Sequence, residues 1–233
     1  MTVDFLSVLS KRLGIEAADY FTSEVEGEYL IVRPREYLDA DIFREICEVV
    51  REFNGQYVVR NSKSYFKVPL SKVGFLELLL NNPYVFSRYL IGKSHDEVVE
   101  WLQSCIRTLG FIIYSKHGVF CKGFNPDIVT NISGTSDGWI LIDVVNSDDS
   151  LLRDIAGLQV VRANIESFTN YKVRRLYCAV TQNVSVNILR NTSHFFAKTD
   201  IMKCVRVEEI PQVLRWEHDS WLATKQKEGV FEV

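Results

Sequence analysis

Two aspartates, Asp127 and Asp143, form the pair in this sequence whose types and spacing point most directly to chemistry. Between them lies Ser133-Gly134-Thr135-Ser136-Asp137-Gly138, a run of residues that favour tight chain reversal. A hairpin symmetric about Thr135 sets Asp127 directly opposite Asp143, with Cβ atoms about 4.5 to 5.5 Å apart. Two carboxylates that close repel each other and need a cation or a shared proton. Asp143 also interrupts Trp139-Ile140-Leu141-Ile142-Asp143-Val144-Val145, an apolar run of the kind that forms a strand buried on both faces. An unpaired carboxylate there costs several kcal/mol. A divalent cation, Mg²⁺ or Mn²⁺, would offset that cost, since Mg²⁺ typically takes one or two carboxylates plus waters and phosphate oxygens. The plainer alternative is that Asp143 ends the buried part of its strand and Asp127 caps a turn after Pro126.

The elements that must position these acids can be read on either side of them. Ser94 and Glu97 form a Ser-x-x-Glu capping box, and the helix they open carries Val98, Trp101, Leu102, Cys105, Ile106 and Leu109 toward a core before Gly110 ends it. Strands follow at Phe111 to Lys116, Asp127 to Asn131 and Trp139 to Asn146, then a helix from about Ser150 to Phe168 and a strand from Val173 to Val180. A helix over Val184 to His194, a strand over Met202 to Val207 and a charged helical tail complete the chain. Upstream, a helix from Asp4 to Leu13 ends at Gly14, and Tyr29 to Val32 (strand), Ile42 to Phe53 (helix), Gln56 to Arg60 and Ser64 to Val68 (strands) make a βαββ module. A helix that begins after Ser71 and runs through Phe75, Leu78 and Leu79 stops at Asn81-Asn82-Pro83. This order predicts a mixed α/β fold in two domains, an α+β module over 1–92 and a helix-flanked mixed sheet over 93–233.

Composition narrows the classes. With 47% hydrophobic and 24% charged residues and few Gly or Pro, the 233-residue chain can build a packed core, which excludes a disordered or collagen-like protein. No apolar run reaches the roughly 18 to 20 residues of a membrane span, and Met1 to Arg12 lacks the cationic-then-apolar pattern of a signal peptide, so an intracellular, cytoplasmic chain without a membrane partner is expected. Five scattered cysteines without a Cys-x-x-Cys pair and four histidines without metal spacing argue against disulfides, a zinc cluster or a histidine-based site. The net charge of −3 gives no global nucleic-acid footprint, but a local basic face is enough to contact phosphates.

Asn125-Pro126-Asp127-Ile128-Val129, a hairpin, and then Ile142-Asp143-Val144-Val145 resemble the core of the PD-(D/E)xK nuclease superfamily, which includes archaeal Holliday-junction resolvases and restriction-type endonucleases. The resemblance runs over about residues 94 to 180. Resolvase-like members carry a glutamate some turns before a Gly-Phe pair, here Gly110-Phe111, and Glu100 is the nearest match. The resemblance implies a restriction-endonuclease-like sheet, catalytic acids at Asp127, Asp143 and Glu100, and Mg²⁺ or Mn²⁺ held by Asp127, Asp143 and the backbone carbonyl of Val144. It further implies metal-dependent hydrolysis of DNA phosphodiesters in repair or recombination, and a homodimer that pairs two sites. One position departs from the pattern: the family's lysine follows the second acid by two residues, where this chain has Val145. Either Lys116, Lys122, Arg153, Gln159 or Arg162 substitutes, or the domain is a non-catalytic DNA-binding or scaffold protein on a degenerate nuclease fold.

Residues 51 to 75 hold Arg51, Arg60, Lys63, Lys67 and Lys72 against the single acid Glu52, interleaved with Tyr57, Tyr65 and Phe66. Cations beside aromatic faces form one kind of nucleic-acid surface, and Arg60, Lys63, Lys67 and, from the second domain, Lys122 are the candidate DNA contacts. The alternative is an amphipathic hairpin whose aromatics belong to the core. Gly55-Gln56-Tyr57, Ser64 to Leu70 and Leu76 to Leu79 are similar to the HARP-type domain of annealing helicases, which implies DNA binding without catalytic residues.

Overall fold

The structure, a computed structural model, describes residues 5–60, 63–114, 124–196 and 201–227. It is a mixed α/β protein with two sheets, and the chain divides into two compact units, Met1–Tyr89 and Leu90–Val233.

The first unit runs α1 (Phe5–Leu13), α2 (Ala17–Tyr20), β1 (Phe21–Glu26), β2 (Tyr29–Pro34), α3 (Ala40–Glu52), β3 (Gln56–Arg60), β4 (Lys63–Pro69) and α4 (Phe75–Asn81), with the single turn α5 (Ser87–Leu90) crossing the division. Its sheet is antiparallel in the order β1-β2-β4-β3. The βαββ expectation therefore lacks one strand, β1. Only Phe21 and Val25 of β1 are buried, and its polar face is spent on ion pairs from Glu24 and Glu26 to Arg33, so the apolar alternation is too sparse to read. Directly opposed pairs Leu30 and Val68, and Val32 and Phe66, are fully buried under α3, whose Ile46, Val49 and Val50 form the facing stripe. Gly55 lets the chain turn from α3 into β3, because a Cβ there would stand 2.8 Å from the Lys67 carbonyl oxygen.

The second unit runs α6 (His95–Thr108), β5 (Ile112–Tyr114), β6 (Ile128–Asn131), β7 (Trp139–Val145), α7 (Asp148–Phe168), β8 (Val173–Val180), α8 (Val186–Phe196), β9 (Met202–Arg206) and α9 (Ile210–Lys227). Its sheet keeps chain order, β5-β6-β7-β8-β9, antiparallel up to β7 and parallel beyond it. All seven residues of β7 are buried, as its continuous apolar run requires. Trp139, Leu141 and Val145 pack with Leu151, Leu158, Val161 and Ile165 of α7 in one core, while α6 packs on β5, β7 and α9. Glu217 of α9 is fully buried and accepts from Arg174 Nε at 3.1 Å, Arg175 Nε at 2.6 Å and Tyr177 Oη at 3.1 Å. That cluster ties α9 to β8, and losing the carboxylate would strand two cations. Among the described residues no helix is long and apolar enough to cross a membrane. Cys47, Cys105, Cys178 and Cys204 are free thiols, Cys105 and Cys178 buried and the other two half-buried, while Cys121 lies outside the described residues.

Candidate functional site

Asn131 sets the register on which the site depends. Its Oδ1 accepts from the N–H groups of Ser133 and Gly134, both at 2.9 Å, and its Nδ2 donates to the Thr135 carbonyl at 2.7 Å. The turn so fixed pairs Ile128 with Ile142 and Asn131 with Trp139, a hairpin centred on Thr135 as its sequence predicts. Asp127, one residue before β6, thus lies opposite Asp143. The two segments also exchange bonds at that level: the Val144 N–H donates to Asp127 Oδ2 at 2.8 Å, and the Asp127 N–H donates to the Asp143 carboxyl.

Both acids are buried, at 8% and 6% exposure, and both line a cavity of about 420 Å³ together with His95, Asn146, Arg153 and Asp154. α6 and α7 reach it through their N-terminal turns. A larger cavity of about 580 Å³ in the first unit brings only Lys11 and Glu16 among mainly apolar, hydroxyl and amide groups, whereas the smaller one gathers three carboxylates, an imidazole and a guanidinium. Burial, and then the charges of Asp127 and Asp154, push the Asp143 carboxyl up to about 8. It keeps its proton at neutral pH unless a cation compensates. Asp154, buried on the core face of α7, is held by Arg153, whose Nε donates to Oδ1 at 3.0 Å.

His95 completes the arrangement. Its Nε2 stands 3.1 Å from Asp127 Oδ2 and 3.1 Å from the Val144 carbonyl oxygen, and its Nδ1 is 3.3 Å from Asp96 Oδ1. Burial lowers its pKa, but the Asp127 charge and the hydrogen bonds to Asp96, Asp127 and Val144 outweigh that, and the net shift is upward.

The sequence-based candidates divide accordingly. Asp127, Asp143 and Val144 come together in one cavity. Glu100 does not join them: it lies exposed on α6, more than a turn beyond His95, and the residue that α6 presents to the acids is His95. Val145 is fully buried in the core beneath α7. Of the substitutes considered for a lysine there, Arg153 lines the cavity, Gln159 and Arg162 line a separate groove, and Lys116 and Lys122 lie outside the described residues. Sequence reasoning passed over His95 and Asp154. The latter left a signal, a carboxylate on the stripe formed by Leu151, Ile155, Leu158 and Val161. His95 left only its place directly after the Ser94 cap.

A Mg²⁺-type group fits the residues present. Among the described residues no three His, Cys, Asp or Glu side chains already converge on one point. Two buried carboxylates beside a main-chain carbonyl nevertheless suit an ion that keeps several waters.

In the first unit the aromatics of the basic segment are engaged internally. Phe66 is buried, Tyr57 packs against Phe43 and Phe66, and Tyr65 lies under the Arg33 guanidinium, 5.2 Å from the ring centre. Lys67 Nζ sits 3.7 Å from the centre of the Tyr29 ring. Arg60 and Lys63 form the last backbone pair of the β3–β4 hairpin, and their side chains lie outside the described residues.

Comparison with protein-family models, curated proteins and solved structures returned no match.

Proposed function

We propose that the second unit is a metal-dependent DNA endonuclease of the PD-(D/E)xK type. The observation that carries the reading is the mirrored placement of Asp127 and Asp143 in one cavity, both buried, with the Asp143 carboxyl raised by burial and by the charges of Asp127 and Asp154. A nonfunctional protein has little reason to keep such a pair, since each buried carboxyl opposes folding. Asp127, Asp143 and the Val144 carbonyl would hold Mg²⁺ or Mn²⁺, and the ion when bound would supply an activated water and charge neutralisation at a phosphodiester. Arg153 stands at the rim of the cavity, its side chain largely exposed, where it can meet a phosphate. The first unit contributes DNA affinity through the basic segment around Arg60, Lys63 and Lys67, and a homodimer would bring two such sites to one substrate.

A second reading, a DNA-binding scaffold without catalysis, is favoured by Val145, which is absorbed into the core where the family places its lysine. Nicking of supercoiled and branched DNA with Mg²⁺ or Mn²⁺ separates the two. Cleavage by the wild type that is lost in both Asp127→Ala and Asp143→Ala supports the enzyme. Binding without cleavage under either metal supports the scaffold.

A further inference from the structure

Beside the two acids the cavity holds an imidazole with partners on both ring nitrogens. The Ser94 capping box fixes where α6 begins: Ser94 Oγ accepts from the Glu97 N–H at 3.3 Å, and Glu97 Oε2 accepts from the Ser94 N–H at 2.8 Å. His95 is thereby the first residue of the helix, and its ring is aimed at the hairpin. Nε2 faces Asp127 Oδ2 and the Val144 carbonyl, each at 3.1 Å. Adjoining ligands of one octahedral ion lie about 3 Å apart, so Nε2 already stands from each of the two oxygens at the spacing of neighbouring ligands. On the far side of the ring, Nδ1 meets Asp96 Oδ1 at 3.3 Å. A carboxylate on the second nitrogen is the partner that orients a metal-bound histidine and raises its basicity.

We propose that His95 Nε2 is a ligand of the divalent cation in this site, alongside Asp127 and the Val144 carbonyl, and that the site therefore prefers Mn²⁺ to Mg²⁺. The inference rests on the reading that Asp127 and Asp143 serve a metal, and it names the further donor and the class of ion. Nε2 would offer its lone pair to the ion when one is bound, with Nδ1 left facing the Asp96 carboxylate. Imidazole nitrogen suits Mn²⁺ and other borderline transition ions, whereas Mg²⁺ favours oxygen ligands throughout.

The test is electron spin-echo envelope modulation on the full-length protein loaded with Mn²⁺ alone, read beside Mn²⁺ and Mg²⁺ affinities. The wild type should show ¹⁴N modulation from a directly bound imidazole. His95→Gln should abolish it and weaken Mn²⁺ on the order of 100-fold with a smaller loss for Mg²⁺, and Asp96→Asn should keep the modulation while weakening Mn²⁺ about tenfold. Bound Mn²⁺ without nitrogen coupling, or a His95→Gln protein that binds as tightly as the wild type or tighter, overturns this proposal alone. A wild type that takes up no Mn²⁺ overturns it together with the metal reading beneath it. Nitrogen-coupled Mn²⁺ in a protein that cuts no DNA leaves the proposal standing and removes the endonuclease.

Discussion

Asp127 and Val144 are bound across the β6–β7 hairpin: the Val144 N–H donates to Asp127 Oδ2 at 2.8 Å, and the Val144 carbonyl and that same carboxylate oxygen both face His95 Nε2. The backbone of one residue thus orients the first acid and offers an oxygen of its own. Burial, and then the charges of Asp127 and Asp154, displace the carboxyl of Asp143, the residue before Val144.

The displacement makes stability depend on pH. Below about pH 4 folded and unfolded chains both hold the Asp143 proton. Between about 4 and 8 only the folded chain holds it, so stability falls as pH rises, and above 8 the loss is complete, on the order of 5 kcal/mol at most. Asp143→Asn should flatten this slope and give a protein more stable than wild type at pH 8 to 9 without metal. Urea titrations at several pH values check it, and parallel slopes for the two proteins would remove the strain assigned to Asp143.

The turn should control the site at a distance. Asn131→Ala removes the bonds that close the hairpin and should cost about 1 to 3 kcal/mol. Gly138→Ala would place a Cβ 1.9 Å from Ser133 Oγ and 2.6 Å from Asn131 Oδ1, so the turn must open. Both variants should speed hydrogen exchange at the Val144 amide, read by NMR, although neither residue lines the cavity.

Val145→Lys buries an ammonium against Leu151, Leu158 and Leu141. The side chain must shed its proton or destabilise the sheet by a few kcal/mol. We expect a lower urea midpoint and no gain in nicking. A stable variant with faster Mg²⁺-dependent cleavage would show instead that the position opens to the cavity.

Much of this architecture was legible because local signals and global packing agree. The capping box at Ser94, the unbroken apolar run of β7 and the turn-rich 133–138 segment each predict an element the structure contains, and the hairpin symmetry predicts its register. β1 was missed because two buried residues in six make a weak alternation. His95 and Asp154 were missed because their roles depend on tertiary approach, α6 and α7 meeting the hairpin from separate parts of the chain. Glu100 matches the motif only by its distance from Gly110-Phe111, and helical geometry turns it to solvent.

If the first unit grips DNA through Arg60, Lys63 and Lys67, replacing all three with alanine should reduce the slope of log affinity against log salt by roughly 2 to 3, at about 0.7 to 0.9 per phosphate contact. Fluorescence anisotropy with a labelled duplex over a range of salt measures it. An unchanged slope in a folded variant would move the contact surface elsewhere.

Calorimetric titration of Mn²⁺ into wild type, Asp127→Asn and Asp143→Asn tests the central claim most directly. The account predicts saturable binding in the wild type and a loss of roughly tenfold or more in each variant, with the fold of both retained. A flat response in the wild type, or one isotherm shared by all three proteins, would contradict it.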